Sequence, residues 1–319
     1  MVIQMKKTEW TRPASSGSGL IFSRLWTEEQ PKAILGIAHG MAEHSARYAS
    51  FAEFLTAHGF AVCMNDHAGH GKSAQVKGHF ADENGWEFIV DDLKALLDEV
   101  SGRYPGLPVF LMGHSMGSFL SRSFLTRYGG MLQGCILCGT MGKNQALGLG
   151  KALAGLQKKV LGPRSRGKLI DKLAFGSYNK RIENPVNQFA WLSTVEQVCR
   201  EYAADEFCGF EFTAAGYYDL FSGLQEVNSP KWAQEVPKNL PVFLLAGDAD
   251  PVGNYGKGPT EVAEALKAAG CGDVSLKLYP GKRHELLNES NRQEVYADVL
   301  RWLEKKLGDR KSTRLNSSH

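Results

Sequence analysis

The stretch VFLMGHSMG, residues 109–117, most constrains what this chain can fold into. Residues 109–112 are an apolar run suited to a buried strand, and residues 118–128 read as a helix. Gly113-His114-Ser115-Met116-Gly117 joins the two with nothing to spare. Strand, G-x-S-x-G and helix in immediate succession are the context of a nucleophile elbow. Its turn is so sharp that the residues two before and two after the serine must lack bulk. Such a turn strains the serine backbone and holds its hydroxyl clear of the sheet edge. The start of the following helix offers free N–H groups and a positive dipole end to a developing oxyanion.

The surrounding chain alternates strand with helix. Apolar runs predict strands at 20–26, 33–38, 60–64, 109–112, 135–138, 241–246 and 274–279. Helical spacing appears at 46–58, 88–103, 118–128, 261–269 and 292–307. This rhythm predicts an α/β fold with a mostly parallel sheet covered on both faces. The rhythm stops between residues 141 and 236, where only helix-like pieces appear. That gap is too long for a loop in a compact domain. It reads as an inserted helical cap over the strand ends, where open α/β sheets bind ligands. The core is therefore expected at 1–140 and 237–307, and the cap at 141–236. Residues 308–319 are polar and aperiodic, and are expected to form a disordered tail of the kind a cloning library leaves behind.

A serine hydroxyl is a poor nucleophile without a base, and the base needs an orienting acid. On this kind of elbow the partners follow in the order Ser, acid, His. After Ser115 the only histidines are His284, just past the last strand, and His319, in the polar tail; His284 is the candidate. The acid should follow strand 241–246, where Gly247-Asp248-Ala249-Asp250-Pro251 offers two. Asp250 is preferred because it lies deeper in the loop and precedes a proline that holds it extended. Asp248 is the alternative, and also a natural turn cap. The oxyanion hole needs the N–H of the residue after the nucleophile, Met116, and one from the loop after strand 33–38. His39-Gly40-Met41 is that loop, and Met41 is the expected second donor.

Composition narrows the class. Lys and Arg total 37 against 34 Asp and Glu, and no basic stripe with interleaved aromatics suggests nucleic acid. The first ten residues lack the apolar core of a secretory signal, and no run approaches the ~18 apolar residues of a membrane span. A cytoplasmic, reduced protein is expected, with its six scattered cysteines as buried free thiols. No cofactor or metal is expected; Cys135-x-x-Cys138 lies within one strand, which points the two side chains to opposite faces. The cap is uneven in charge. Ten cations accompany a single acid, Asp171, between residues 143 and 181, whereas nine acids accompany two cations between 182 and 235. The basic run is either a solvated face neutralised by its neighbour or a rim that attracts anionic head groups or membrane surfaces. The glycine-interrupted amphipathic helix at 145–161 suits cap core, and a mobile lid equally.

Several segments together resemble one family. His39-Gly40-Met41-Ala42-Glu43-His44-Ser45-Ala46-Arg47-Tyr48 resembles the HGxxEHSxRY segment of monoglyceride lipases and lysophospholipase-like α/β-hydrolases, also labelled serine aminopeptidase-like. Asp66-His67-Ala68-Gly69-His70-Gly71-Lys72-Ser73 is similar to their DHxGHGxS loop, and GHSMG, GDADPV and YPGKRHELLNE to their nucleophile, acid and histidine segments. The resemblance spans residues 20–307. It implies the α/β-hydrolase fold, a Ser115–Asp250–His284 triad and an oxyanion hole at Met41 and Met116. It also implies ester hydrolysis on single-chain lipids such as monoacylglycerols or lysophospholipids. Two other readings remain. One is an aminopeptidase, with Glu201, Asp205, Glu206 or Glu211 of the cap holding a substrate ammonium. The other is a binding protein of the same fold without turnover.

Overall fold

The computed structural model describes residues 5–316. Among them the strands β1 (Lys6–Pro13), β2 (Leu20–Thr27), β3 (Ala33–Ala38), β4 (Phe60–Asn65), β5 (Val109–His114), β6 (Gly134–Cys138), β7 (Val242–Gly247) and β8 (Val274–Tyr279) form one sheet. Its order is β1-β2-β4-β3-β5-β6-β7-β8. β1 and β2 are antiparallel to their neighbours, and β4, β3, β5, β6, β7 and β8 run parallel. Strand order reverses at β3, which lies between β4 and β5, so the loops leaving β3 and β5 emerge side by side at the carboxyl edge.

The pleat sorts each strand between two cores. Ile34, Leu111, Leu137 and Leu244 face one layer with α2 (Gly85–Arg103), α3 (Met116–Tyr128) and α9 (Lys257–Ala268). Leu35, Phe110, Ile136 and Phe243 face the other, against α1 (Ala49–Thr56) and α10 (Arg292–Asn316). Cys135 and Cys138 fall in opposite cores, as strand periodicity requires, and all six cysteines are free.

Between β6 and β7 the chain forms α4 (Leu147–Leu161), α5 (Lys168–Phe175), α6 (Glu196–Ala204), α7 (Ala214–Val227) and α8 (Trp232–Glu235). Arg122 of α3, fully buried, ties down both ends of this insertion. It donates to Met141 O at 2.9 Å, to Val227 O and to Asn228 Oδ1 at 3.1 Å, and lies over the Trp232 ring. The three glycines of α4 read from sequence as weak points, yet two of them allow close packing. A Cβ at Gly150 would sit 3.1 Å from the Phe221 ring, and one at Gly155 3.3 Å from Tyr218, both on α7.

Two expectations need correction, and one strand was not expected. The helix expected at 46–58 begins as a 3₁₀ turn, Ser45–Tyr48, and ends at Thr56. β1 escapes sequence reading because its inward residues Thr8, Trp10 and Arg12 are only half-buried, so its alternation carries little apolar contrast. The expected tail at 308–319 is helical through Asn316, and residues 317–319 lie outside the described residues. Polarity alone does not stop a helix. Proline and a left-handed glycine cap are the strongest local stop signals, and after Gly308 the sequence has neither.

The seat of α7 on the core gives a direct test. Both Gly223 of α7 and Trp86 of α2 are buried, and a Cβ at Gly223 would meet the Trp86 ring at 2.0 Å. Gly223→Ala should therefore destabilise by about 3 kcal/mol, the upper range for overpacking, as a lowered urea midpoint at unchanged m. An unchanged midpoint would mean that α7 does not pack there.

Candidate active site

The elbow takes its shape from two close approaches. A Cβ at Gly113 would lie 2.1 Å from Gly117 O, and one at Gly117 would lie 2.0 Å from Ala38 O. Both positions are thus closed to any side chain. Ser115, between them, has φ 53° and ψ −121°, a region that non-glycine residues avoid. Its N–H donates to Cys138 O at 2.9 Å, and its carbonyl accepts from Ser118 N and Oγ at 2.8 and 2.6 Å. These bonds hold the strained residue in place at the first turn of α3.

Asp250 and His284 come together from the loops after β7 and β8. His284 Nδ1 donates to Asp250 Oδ2 at 2.8 Å, and Asp250 Oδ1 accepts from Val252 N, also at 2.8 Å. Asp250 is 0% exposed and His284 2%. His284 Nε2 has no hydrogen-bond partner among the described residues. Asp248 has another task. It is exposed, and its Oδ1 accepts from Gly281 N at 2.6 Å, which ties the β7 loop to the turn carrying His284. Ser115, His284, Met41 and Met116 all line a cavity of about 700 Å³ whose other walls include Phe119, Leu153 and Phe221.

The amides on either side of Met41 are both engaged. Gly40 N–H donates to Glu43 Oε1 at 2.6 Å and Ala42 N–H to His70 Nε2 at 3.2 Å. Glu43 also accepts from Tyr48 OH at 2.8 Å and Arg47 Nη1 at 2.7 Å. Arg47 forks onto Glu285, next to His284, with two bonds of 2.7 Å. One half-buried guanidinium thus links the β3 loop to the loop that carries His284. His114 completes the network. Its Nδ1 lies 3.0 Å from Tyr48 OH and 3.4 Å from Glu43 Oε1, and its Nε2 lies 3.2 Å from His284 O. Burial pulls its pKa down, but the hydrogen bond and charge of Glu43 outweigh this and raise it. Burial alone would raise the Glu43 carboxyl, yet His114 and Arg47 hold it well below its usual range.

Sequence reading brought out Ser115, Asp250, His284, Met41 and Met116, but gave no task to Glu43, Arg47, Tyr48, His114 or Glu285. The available signal was the HGxxEHSxRY segment itself, whose ionisable residues sit in a stretch that becomes buried. Of the four acids weighed as ammonium ligands, only Glu211 lines the cavity. Asp205 is bonded to His44, while Glu201 and Glu206 are exposed.

Fold and site define a serine hydrolase of the α/β-hydrolase class. Residues 29–291 match the family described as "Serine aminopeptidase, S33", and the chain belongs to it. It is 30% identical over 294 residues to a monoacylglycerol lipase of Mycolicibacterium smegmatis, covering 91% of this chain and 95% of that one. To the human monoglyceride lipase it is 28% identical, covering 89% of this chain and 86% of that one. A thermostable carboxyl esterase of Bacillus coagulans, solved with glycerol, superimposes with a TM-score of 0.90 at 29% identity, over 95% of this chain and 100% of that one.

Three buried histidines behind the β3 loop set an acid limit on stability. His39 Nδ1 donates to Gly40 O at 2.8 Å and its Nε2 accepts from His67 N at 3.0 Å, while His70 Nε2 accepts from Ala42 N. Burial lowers His39 to about 3 and His70 to about 4, and His67 well below the usual value. Unfolded histidines take up protons near 6.5, so below that pH the unfolded state binds more protons. The stabilisation these rings provide is complete above pH ~6.5 and is lost as pH falls toward the folded values. Each ring should add a slope approaching ~1.4 kcal/mol per pH unit in that window. His70→Gln, which keeps an acceptor but does not titrate, should flatten the urea stability profile between pH 6 and 4.5 by about one ring's share. An unchanged slope would show that His70 is not held neutral.

Proposed function

We propose that this enzyme hydrolyses carboxylic esters bearing one medium or long acyl chain, such as monoacylglycerols or lysophospholipids, through an acyl-Ser115 intermediate. One observation carries the reading: a buried His284–Asp250 pair at 2.8 Å, with His284 and Ser115 bordering the same largely apolar 700 Å³ cavity. The names of the lipase relatives point the same way. Asp250 keeps the His284 proton on Nδ1 and stabilises the imidazolium that forms. Nε2 takes the Ser115 proton as Oγ attacks the ester carbon. The oxyanion receives the N–H groups of Met41 and Met116, the latter in the first turn of α3 where the dipole favours negative charge. His284 then protonates the leaving alcohol, and a water activated by the same nitrogen releases the fatty acid.

In this reading residues 141–236 are a cap over the core of 1–140 and 237–307, and its outer face meets membrane. Six of the nine large hydrophobic side chains exposed among the described residues lie on α4 and α5, each at least 60% exposed: Leu149 and Leu173 border the cavity itself, whereas Leu156, Val160, Leu161 and Leu169 are not part of its lining. Exposed Lys159 lies beside Val160, and exposed Lys168 and Lys172 stand at the border of the cavity, a composition suited to an anionic lipid surface around the cavity mouth. Other cations of the basic run serve internally. Lys158 pairs with Glu83 at 2.8 Å, Arg164 with Asp82 at 3.2 Å, and Arg166 donates to Lys77 O and Glu211 O. The run is therefore part rim and part tether. Among the described residues no helix is long and apolar enough to cross a membrane.

The two loop aspartates should separate in kinetics. Asp250→Asn should lower kcat by roughly 10⁴ through loss of tautomer control, while Asp248→Asn should cost at most about tenfold through loop geometry. Reversed effects would move the acid to Asp248. Chain length tests the cavity. Each buried methylene contributes about 0.8 kcal/mol, so kcat/KM should rise about fourfold per carbon from acetyl to at least octanoyl esters; a flat or falling series would mark a short-chain esterase instead. For the outer face, Leu156→Ser with Val160→Ser and Lys159→Glu should lower activity on anionic mixed micelles at least about tenfold. Turnover of soluble p-nitrophenyl butyrate should stay within about twofold, and equal losses on both substrates would assign those residues to the packing of the cap.

A further inference from the structure

His44, Asp205 and Cys208 converge outside the catalytic constellation. His44 follows the β3 loop, three residues after Met41, whereas Asp205 and Cys208 lie between α6 and α7. One donor atom from each falls within 4.8 Å of the others, and His44 Nε2 is 2.9 Å from Asp205 Oδ2. The group is partly open to solvent: the His44 and Asp205 side chains are 12% and 31% exposed, and Cys208 is the one cysteine not fully buried. Nearby Arg47 is already matched by Glu43 and Glu285.

We propose that His44, Asp205 and Cys208 form a binding site for a divalent cation of the zinc type, which fastens the β3 loop to the segment between α6 and α7. The donor set is imidazole nitrogen, carboxylate oxygen and thiolate sulfur, the mixed borderline-soft set that selects zinc over magnesium or calcium. Ligands of a tetrahedral zinc ion lie roughly 3.5 Å apart, so the observed cluster needs about one ångström of contraction, within reach of side-chain rotation at half-buried Cys208. On binding, the thiol proton leaves to solvent and the sulfur takes the metal. The His44–Asp205 hydrogen bond gives way to one bond from each to the ion, and a water fills the fourth position. The two anionic ligands balance the ion's charge. The same two segments already meet at Ala42, whose carbonyl accepts from Gly209 N at 2.9 Å and Tyr202 OH at 2.7 Å. Since Ala42 adjoins Met41, occupancy stiffens the loop beside the nucleophile.

Calorimetric titration of the full chain with zinc chloride should give one equivalent bound, and should raise Tm by about 5 °C once free zinc exceeds Kd a hundredfold. Cys208→Ser, Asp205→Asn and His44→Gln should each weaken binding by about 100-fold or more. Cobalt(II) should give a thiolate-to-metal absorption band in the wild type, abolished by prior native-state alkylation, since the other cysteines are buried. This spectrum also decides the case if a variant fails to fold. The proposal is overturned if the wild type binds no zinc at tenfold molar excess, if the variants bind like wild type, or if cobalt binds without a thiolate band.

Discussion

The site depends on how closely α3 approaches the end of β3. With a Cβ at Gly117, Ala38 O would be 2.0 Å away, so no side chain fits between the start of α3 and the strand that leads to Met41. That contact places the first turn of α3 beside the loop after β3. The cost is the unfavourable backbone of Ser115, with φ 53°. A strain of this kind, about 1–3 kcal/mol, persists only where the surroundings over-determine it. Here they do so through Cys138 O on one side and the Ser118 side chain on the other.

A second constraint is electrostatic. Glu43, Arg47 and Glu285 are all nearly buried, and such ions are tolerated only when their lone pairs and protons are matched. Every oxygen of the two carboxylates accepts a bond: Glu43 from Gly40, Tyr48 and Arg47, Glu285 from Arg47 and Asn288. With Arg47 alone the cluster would hold an excess negative charge. His114 is the group placed to offset it, which explains why its pKa rises despite burial. The network joins the loop after β3 to the loop that carries His284, two segments more than 200 residues apart in sequence, so a small shift in one is felt in the other.

The insertion between β6 and β7 has two unlike faces. Its inner face is small and aromatic, so that α4 lies close on α7, and Arg122 anchors both of its ends to α3. Its outer face leaves leucines and valine in solvent, which costs free energy unless an apolar surface covers them. The cations differ as well: Lys158 and Arg164 pair with Glu83 and Asp82, whereas Lys159, Lys168 and Lys172 are exposed.

Much of this was legible in the chain. The strand–helix alternation, the tight turn around Ser115 and the places of Asp250 and His284 in the loops after β7 and β8 follow from local rules: hydrophobic period, tight-turn stereochemistry and the order of loops along a parallel sheet. Those rules act over a few residues, so one sequence carries them. Other features were decided only by the tertiary structure. Sequence spacing did not show that Asp248 holds the turn of Gly281, that Arg47 bridges Glu43 to Glu285, that Arg122 grips both ends of the insertion, or that His44 meets Asp205 and Cys208. The amphipathic period of α4 did not say which face turns outward, and the polar end of the chain gave no sign that α10 continues to Asn316. In each case the partner is distant in sequence or the preference is weak. Packing and burial, not local propensity, settle such choices, and these exist only once the chain has folded.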